Sequence, residues 1–273
     1  MYKLMTVIAM KNLSYSLVLF IVLFAGCEED VTSTDIKLAY YIESYDIDGL
    51  GFEPSMRVNY KYDKSGRISK YTVLSYNPAS GATEEQRYFT FSYTDGRLGG
   101  IKGFLPGAGT PYIEYSYTYL PDDEVARITQ NDHASGINSD VTFVYAENGT
   151  VKASYVFSNG GSFEYEFDHA TGNIMTDKTT RGAQLCSEGQ YTYDTNKNPF
   201  HSMGYVDYLL TNVSMNNKVT ESVNYVACAF PTLVPESYSY EYNDDGYPVS
   251  ATTFYKSSGS VKKSRKEFVY TLK

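Results

Sequence analysis

The feature that most constrains this chain is a short phrase that keeps returning: an aromatic residue, one spacer, a second aromatic, then residues that favour turns. Its clearest copies are Tyr60-Lys61-Tyr62-Asp63 with Gly66-Arg67-Ile68 behind it, and Phe91-Ser92-Tyr93 with Asp95-Gly96-Arg97-Leu98. Later copies are Tyr117/Tyr119 before Pro121-Asp122-Asp123, Phe143/Tyr145 before Glu147-Asn148-Gly149, and Tyr165/Phe167 before Asp168 and Gly172-Asn173-Ile174. Variant forms follow at Tyr191/Tyr193-Asp194, at Tyr240/Tyr242 before Asn243-Asp244-Asp245-Gly246, and at Phe268/Tyr270. Rings at i and i+2 share one face of an extended strand, while Asp, Asn and Gly accept the turn conformations that other residues resist. Each phrase therefore reads as strand, tight turn, strand, and the spacing of roughly 26 residues is that of one hairpin plus its connection.

From Ile36 onward apolar and polar residues alternate in short runs, and no long helical period competes. The reading is all-β: roughly sixteen strands between Ile36 and Leu272, paired with their sequence neighbours in an antiparallel meander that must curl into a barrel or a strongly curved sheet. The ring composition agrees, with 29 Tyr, 14 Phe and no Trp, since tyrosine suits a half-buried strand that packs its ring and wets its hydroxyl. One stretch departs from alternation. Met203, Val206, Leu209 and Leu210 stand near helical spacing between Pro199 and Asn216-Asn217, which predicts a short helix near 202–210 or a plug-like turn; a loop with buried anchors is the alternative.

The N-terminus reads as an address. Leu17–Phe24 is an unbroken apolar run behind Lys11, too short to span a bilayer, and it ends in Phe24-Ala25-Gly26-Cys27, which resembles a bacterial lipobox. Residues 1–26 are expected to be a lipoprotein signal peptide, with Met10 a better start than Met1, and Cys27 is expected to carry the lipid. Residues 27–35 then form a flexible acidic tether, and 36–273 a single β domain. The cluster Glu28-Glu29-Asp30 resembles the surface-export signal of Bacteroidetes lipoproteins, which places the chain at the outer membrane and on the cell surface.

Charge narrows the partners. The first 26 residues hold two of the 23 basic residues and none of the 32 acidic ones, so the mature chain carries −11. Such a surface repels phosphate backbones and anionic headgroups, which argues against nucleic acid and against electrostatic membrane binding. The membrane partner is then the lipid itself, with a glycan or an envelope protein as the candidate ligand.

No motif for catalysis is present: no nucleophile elbow, phosphate-binding glycine loop or dinucleotide fingerprint. His133, His169 and His201 lie in separate turn-like contexts without metal-ligand spacing, and Asp122-Asp123-Glu124 and Asn243-Asp244-Asp245-Gly246 offer too few positioned oxygens for calcium. No metal, cofactor or enzymatic role is expected. Cys186 and Cys228 are candidates for one disulfide or two isolated buried thiols. The tyrosine rows either fill the interior or stack sugar rings.

The phrase Tyr-x-Tyr-Asp followed by Gly-Arg-Ile resembles the YD repeats of RHS-type proteins. The segment from Tyr191-Thr192-Tyr193-Asp194 through Asn196-Lys197-Asn198-Pro199-Phe200, with Asn216-Asn217-Lys218-Val219 beyond, is similar to a Bacteroidetes lipoprotein domain of unknown function with a porin-like fold. That resemblance implies an antiparallel barrel on a lipid anchor and carries no catalytic residues. Two alternatives stay open. A membrane-inserted barrel would need lipid-facing apolar bands about 25 Å tall on every strand, which these strands do not supply evenly. A hydrolase would assemble its site from distant carboxylates.

Overall fold

The structure, a computed structural model, describes residues 36–47, 49–77, 80–168, 172–210, 212–228, 234–257 and 261–272. Cys27, the expected signal peptide and tether, and His169 lie outside the described residues. The strands are β1 (Ile36–Ile47), β2 (Phe52–Tyr62), β3 (Ile68–Tyr76), β4 (Thr83–Thr94), β5 (Arg97–Phe104), β6 (Ile113–Tyr119), β7 (Val125–Asp132) and β8 (Ser139–Tyr145). They continue as β9 (Thr150–Phe157), β10 (Ser162–Asp168), β11 (Thr176–Arg181), β12 (Gln184–Lys197), β13 (Asn216–Tyr225), β14 (Val234–Tyr242), β15 (Pro248–Ser257) and β16 (Val261–Leu272). Each lies beside its sequence neighbour, and β16 closes onto β1, so the sheet is a closed meander barrel without a free edge. Residues Lys37–Thr271 form one compact unit.

Period-two patterning decides which way each side chain faces. In β8, Val141 and Phe143 are buried while Thr142 and Val144 are exposed. In β6, Tyr117 is buried between exposed Ser116 and Thr118. Polar residues of neighbouring strands meet on the outer wall, where Lys102 pairs with Glu114 at 2.7 Å, Arg127 with Asp140 at 2.7 Å and Lys152 with Glu164 at 2.8 Å. Such pairs add little stability, but they put charged side chains on the outer face of the sheet.

The repeated phrase has a repeated physical role. Its first ring points into the lumen; its second sits next to the turn, and at Tyr62, Tyr93, Tyr119 and Tyr242 the strand register slips there as in a β-bulge. From that position the second tyrosine reaches back to a backbone carbonyl near the start of the preceding odd strand. Tyr62 donates to Leu38 at 2.9 Å, Tyr93 to Ile68 at 2.8 Å, Tyr119 to Leu98 at 3.0 Å and Tyr145 to Val125 at 3.0 Å. Tyr193 does the same to Ile174 at 2.6 Å and Tyr270 to Pro248 at 2.7 Å. In β10 the second ring is Phe167, which has no hydroxyl to donate. The turns are set by side-chain caps: Asp63 Oδ1 accepts the Ser65 and Arg67 amides, each at 2.9 Å, and Gly66 takes the positive φ of 76° that the turn requires.

Between β12 and β13 the chain folds into the lumen as a plug. The helix expected near 202–210 is a single 3-10 turn, His201–Met203, stopped by Gly204 at φ 70°. Beyond it the side chains take over the backbone's hydrogen bonds, as Asn and Asp do when they compete with helix. Asn212 donates to the Tyr205 carbonyl at 2.6 Å and accepts the Asp207 amide at 2.9 Å, and its own amide reaches Asp207 at 3.2 Å. Plug rings meet widely separated strands: Phe200 lies 5.7 Å from Tyr41 of β1, Tyr205 5.3 Å from Phe91 of β4, and Tyr208 5.6 Å from both Tyr115 of β6 and Tyr155 of β9. The exit is stapled by asparagines, with Asn173 and Asn216 bonded twice at 2.9 Å and Asn217 reaching the Lys197 carbonyl at 3.1 Å.

Candidate functional site: a luminal cleft beside the plug

The plug does not fill the lumen evenly. Beside it, against β1 to β4 and β16, lies a cleft of about 480 Å³. Its floor is a strip of rings, one from each of four successive strands: Tyr41 and Tyr60 have centroids 6.4 Å apart, Tyr60 and Tyr71 6.0 Å, and Tyr71 and Phe89 4.5 Å in a stacked pair. Phe200, Met203 and Tyr205 of the plug form the facing side.

Three charged groups line this aromatic space. Arg87 of β4 stands opposite Val73 in the sheet, and Lys266 of β16 opposite Ala251, so both belong to the inward face with those buried partners. Asp207 comes from the plug. Lys266 Nζ sits 5.7 Å from the Tyr41 ring and 5.9 Å from Phe200, within cation–π range. Arg87 is exposed, four residues from the start of β4, and its guanidinium lies beside the Tyr112 hydroxyl. It therefore marks the mouth at the rim formed by the β1–β2 and β3–β4 connections, opposite the rim of the tyrosine-bonded turns. Burial pushes the Tyr41, Tyr60 and Tyr71 hydroxyls far above their ordinary range, and the nearby Arg87 charge opposes this at Tyr41 and Tyr71 without overcoming it. At neutral pH these hydroxyls are protonated donors and acceptors.

The acidic side chains on the opposite wall are already engaged. Asp177 accepts from Tyr165 at 2.8 Å and from Tyr191, while Glu221 accepts from Tyr238 at 2.8 Å and from Lys218 at 2.9 Å. Gly189 leaves room for the first cluster, since a Cβ there would collide with the Tyr191 hydroxyl and the Asp177 carboxylate. Asp194 takes the Tyr242 hydroxyl together with the Asn196 and Asn217 amides. These carboxylates tie neighbouring strands together.

The residues singled out from the sequence are scattered. Cys186 in β12 and Cys228 just beyond β13 are bonded, with Cα atoms 5.4 Å apart. His133 meets Glu114 at 3.0 Å on the surface, and His201 meets the Val213 carbonyl at 3.0 Å. Among the described residues no three His, Cys, Asp or Glu side chains gather as metal ligands. Asp123 pairs with Arg97 across the turn rim. Arg87 and Lys266 were missed, although a signal existed: Arg87 shares strand parity with Phe89 and Phe91, and Lys266 with Phe268 and Tyr270, so each is a cation on an aromatic face.

No family model matches the sequence, and no curated protein matches it. Among solved structures, the chain is similar to a porin-like protein from Bacteroides uniformis, with 14% identity, a TM-score of 0.56, and coverage of 86% of this chain and 98% of that one. A TcdB2-TccC3 structure is 13% identical over 77% of this chain and 13% of that one, with a TM-score of 0.30. A protein with unknown function from Bacteroides fragilis is 11% identical over 62% of this chain and 91% of that one, with a TM-score of 0.19. Only the first bears on the architecture, and it does so at the level of fold: this chain has the barrel of a porin-like protein.

Proposed function

We propose that this chain is a lipid-anchored cell-envelope lipoprotein whose barrel stands outside the bilayer and binds a ligand in the luminal cleft. The observation that carries the reading is the ring strip of Tyr41, Tyr60, Tyr71 and Phe89 in an unfilled part of the lumen, with polar groups converging on it; the cleft is larger than the hollow of about 350 Å³ on the plug's other side, which Val125, Phe143 and Val151 line. Concave, largely aromatic space with a few placed polar groups is what small-molecule sites are made of. The chain enters β1 at the rim of the tyrosine-bonded turns, while the cleft opens at the other. A lipid on Cys27, on a tether that extends to at most about 30 Å, would leave that mouth facing away from the membrane.

The polarity of the wall supports a barrel outside the bilayer. Ion pairs and threonines stand on the outer face beside scattered apolar groups such as Val144 and the Tyr88–Phe104 stack, and most rings of the repeat point inward, whereas a transmembrane barrel carries a continuous apolar band outside. The porin-like neighbour keeps a second reading in view, and conductance through a planar bilayer by the purified chain would establish it in place of the first. The test of binding is a glycan array probed with the chain carrying Cys27→Ser. Binding that disappears in Tyr71→Ala is the expected result; an array that stays silent, or binding indifferent to Tyr71, removes the cleft as the site.

A further inference from the structure

Resting on the cleft as the ligand site, we infer that it takes an acidic oligosaccharide, with pyranose faces laid on the ring strip and a carboxylate or sulfate held between Arg87 and Lys266. The strip crosses four adjacent strands, about 14 Å at the usual strand spacing, which suits a short oligomer better than a single sugar.

The charges single out an anion. In a mature chain of net charge −11, two cations occupy an aromatic lumen, and neither is in an ion pair among the described residues. Lys266 is half-buried, where a cation without a contacting anion is costly, while Arg87 stands exposed at the mouth. The carboxylates near them are otherwise occupied: Asp207 is held by the Asn212 amide at 3.2 Å, and Glu43, which stands opposite Met56 of the cleft, takes the Tyr45 hydroxyl at 3.2 Å. Lys266 rests against Tyr41 and Phe200 at one end of the strip, and Arg87 stands at the mouth near Phe89 at the other. A guanidinium fork and an ammonium set apart in this way can hold the acid groups of two residues in one oligomer. A neutral glycan would leave both unanswered.

Calorimetric titration of the Cys27→Ser chain decides the matter with three probes: an oligogalacturonate, its methyl ester, and a sulfated oligosaccharide of similar length. The acid or the sulfated probe is expected to bind, the ester about tenfold more weakly or less, since a hydrogen-bonded charge is worth that much or more. Arg87→Gln and Lys266→Met should each lower the affinity of the charged probe by a similar factor and leave the ester unchanged, and the affinity should fall with added salt. Preference between carboxylate and sulfate then names the acid group. An ester that binds as tightly as the acid overturns this inference and leaves the cleft as a binding site. Failure of all three probes, with circular dichroism of the chain unchanged, overturns the inference, and the glycan array then decides separately whether the cleft binds any sugar.

Discussion

Two halves of one lumen, lined by the same repeated phrase, have different interiors. Along β6 to β10 the inward positions alternate rings with compact aliphatic residues: Ile128, Val141 and Ala153 are each 0% exposed, and Tyr155 stacks on Phe163 at 4.3 Å. Tyr208 of the plug is wedged there, its hydroxyl 2.7 Å from Ser139 and its carbonyl accepting from Tyr155 at 3.0 Å. Along β1 to β4 and β16 the inward positions include Arg87 and Lys266 among the rings, and the plug leaves the cleft open. The repeat builds the wall, and the inward residues differ in whether they bring charge to the space behind it. Branched aliphatic residues pack closely, whereas long cations keep their charged ends in accessible space, and the aliphatic half keeps a smaller hollow of about 350 Å³ where Val206, Leu210 and Val213 of the plug face Val125, Phe143 and Val151.

The largest expected effect tests what the two halves share. Burial raises the hydroxyls of Tyr41, Tyr60 and Tyr71 on the cleft side, and of Tyr115, Tyr117 and Tyr155 on the packed side; Tyr93 and Tyr115 are pushed up to about 12. An unfolded tyrosine titrates near 10. Because the folded values are higher, the stabilisation is fully present below pH 10 and is lost as pH rises through the folded values. Alkaline titration should give one cooperative unfolding step above pH 10, with tyrosinate absorbance and loss of sheet circular dichroism rising together. Early ionisation with the sheet intact would show a cleft wetter than its rings suggest, and would set the halves further apart.

A smaller effect separates them. Ile128→Ala removes a fully buried side chain from the packed half and should cost about 2–5 kcal/mol in urea unfolding. Lys266→Met keeps the stem against Tyr41 and Phe200 and should move stability by no more than about 0.5 kcal/mol. Equal losses in the two variants would make Lys266 a structural residue and erase the distinction between the halves.

Much of the wall was legible because its signals are local. Alternation and turn residues marked the strands, and the ring parity of β2 or β6 told which face is inward. The closure of β16 onto β1 is a long-range pairing that no local pattern encodes. Of the short helix or plug-like turn that the spacing of Met203, Val206 and Leu210 predicts, the structure gives a plug with a single 3-10 turn, because Gly204 at φ 70°, Leu210 at φ 60° and the side chains of Asp207 and Asn212 stop a helix from propagating. The cleft was hidden because it is made jointly by the plug and four strands. Only the parity of Arg87 with Phe89 and of Lys266 with Phe268 hinted at it.

The finest test uses a single atom. Tyr93 and Tyr117 are both inward rings of the repeat, yet the Tyr93 hydroxyl donates to Ile68 at 2.8 Å while the buried Tyr117 hydroxyl has no partner among the described residues. Removing a hydroxyl that makes a hydrogen bond loses it and strands the carbonyl, about 1 kcal/mol. Removing one that makes none recovers its desolvation cost, so the sign should reverse. Tyr93→Phe is therefore expected to lower the urea midpoint and Tyr117→Phe to raise it, both with unchanged slope. A loss at Tyr117 matching that at Tyr93 would mean that its hydroxyl has a partner in solution, in the very half of the lumen that otherwise reads as closed core.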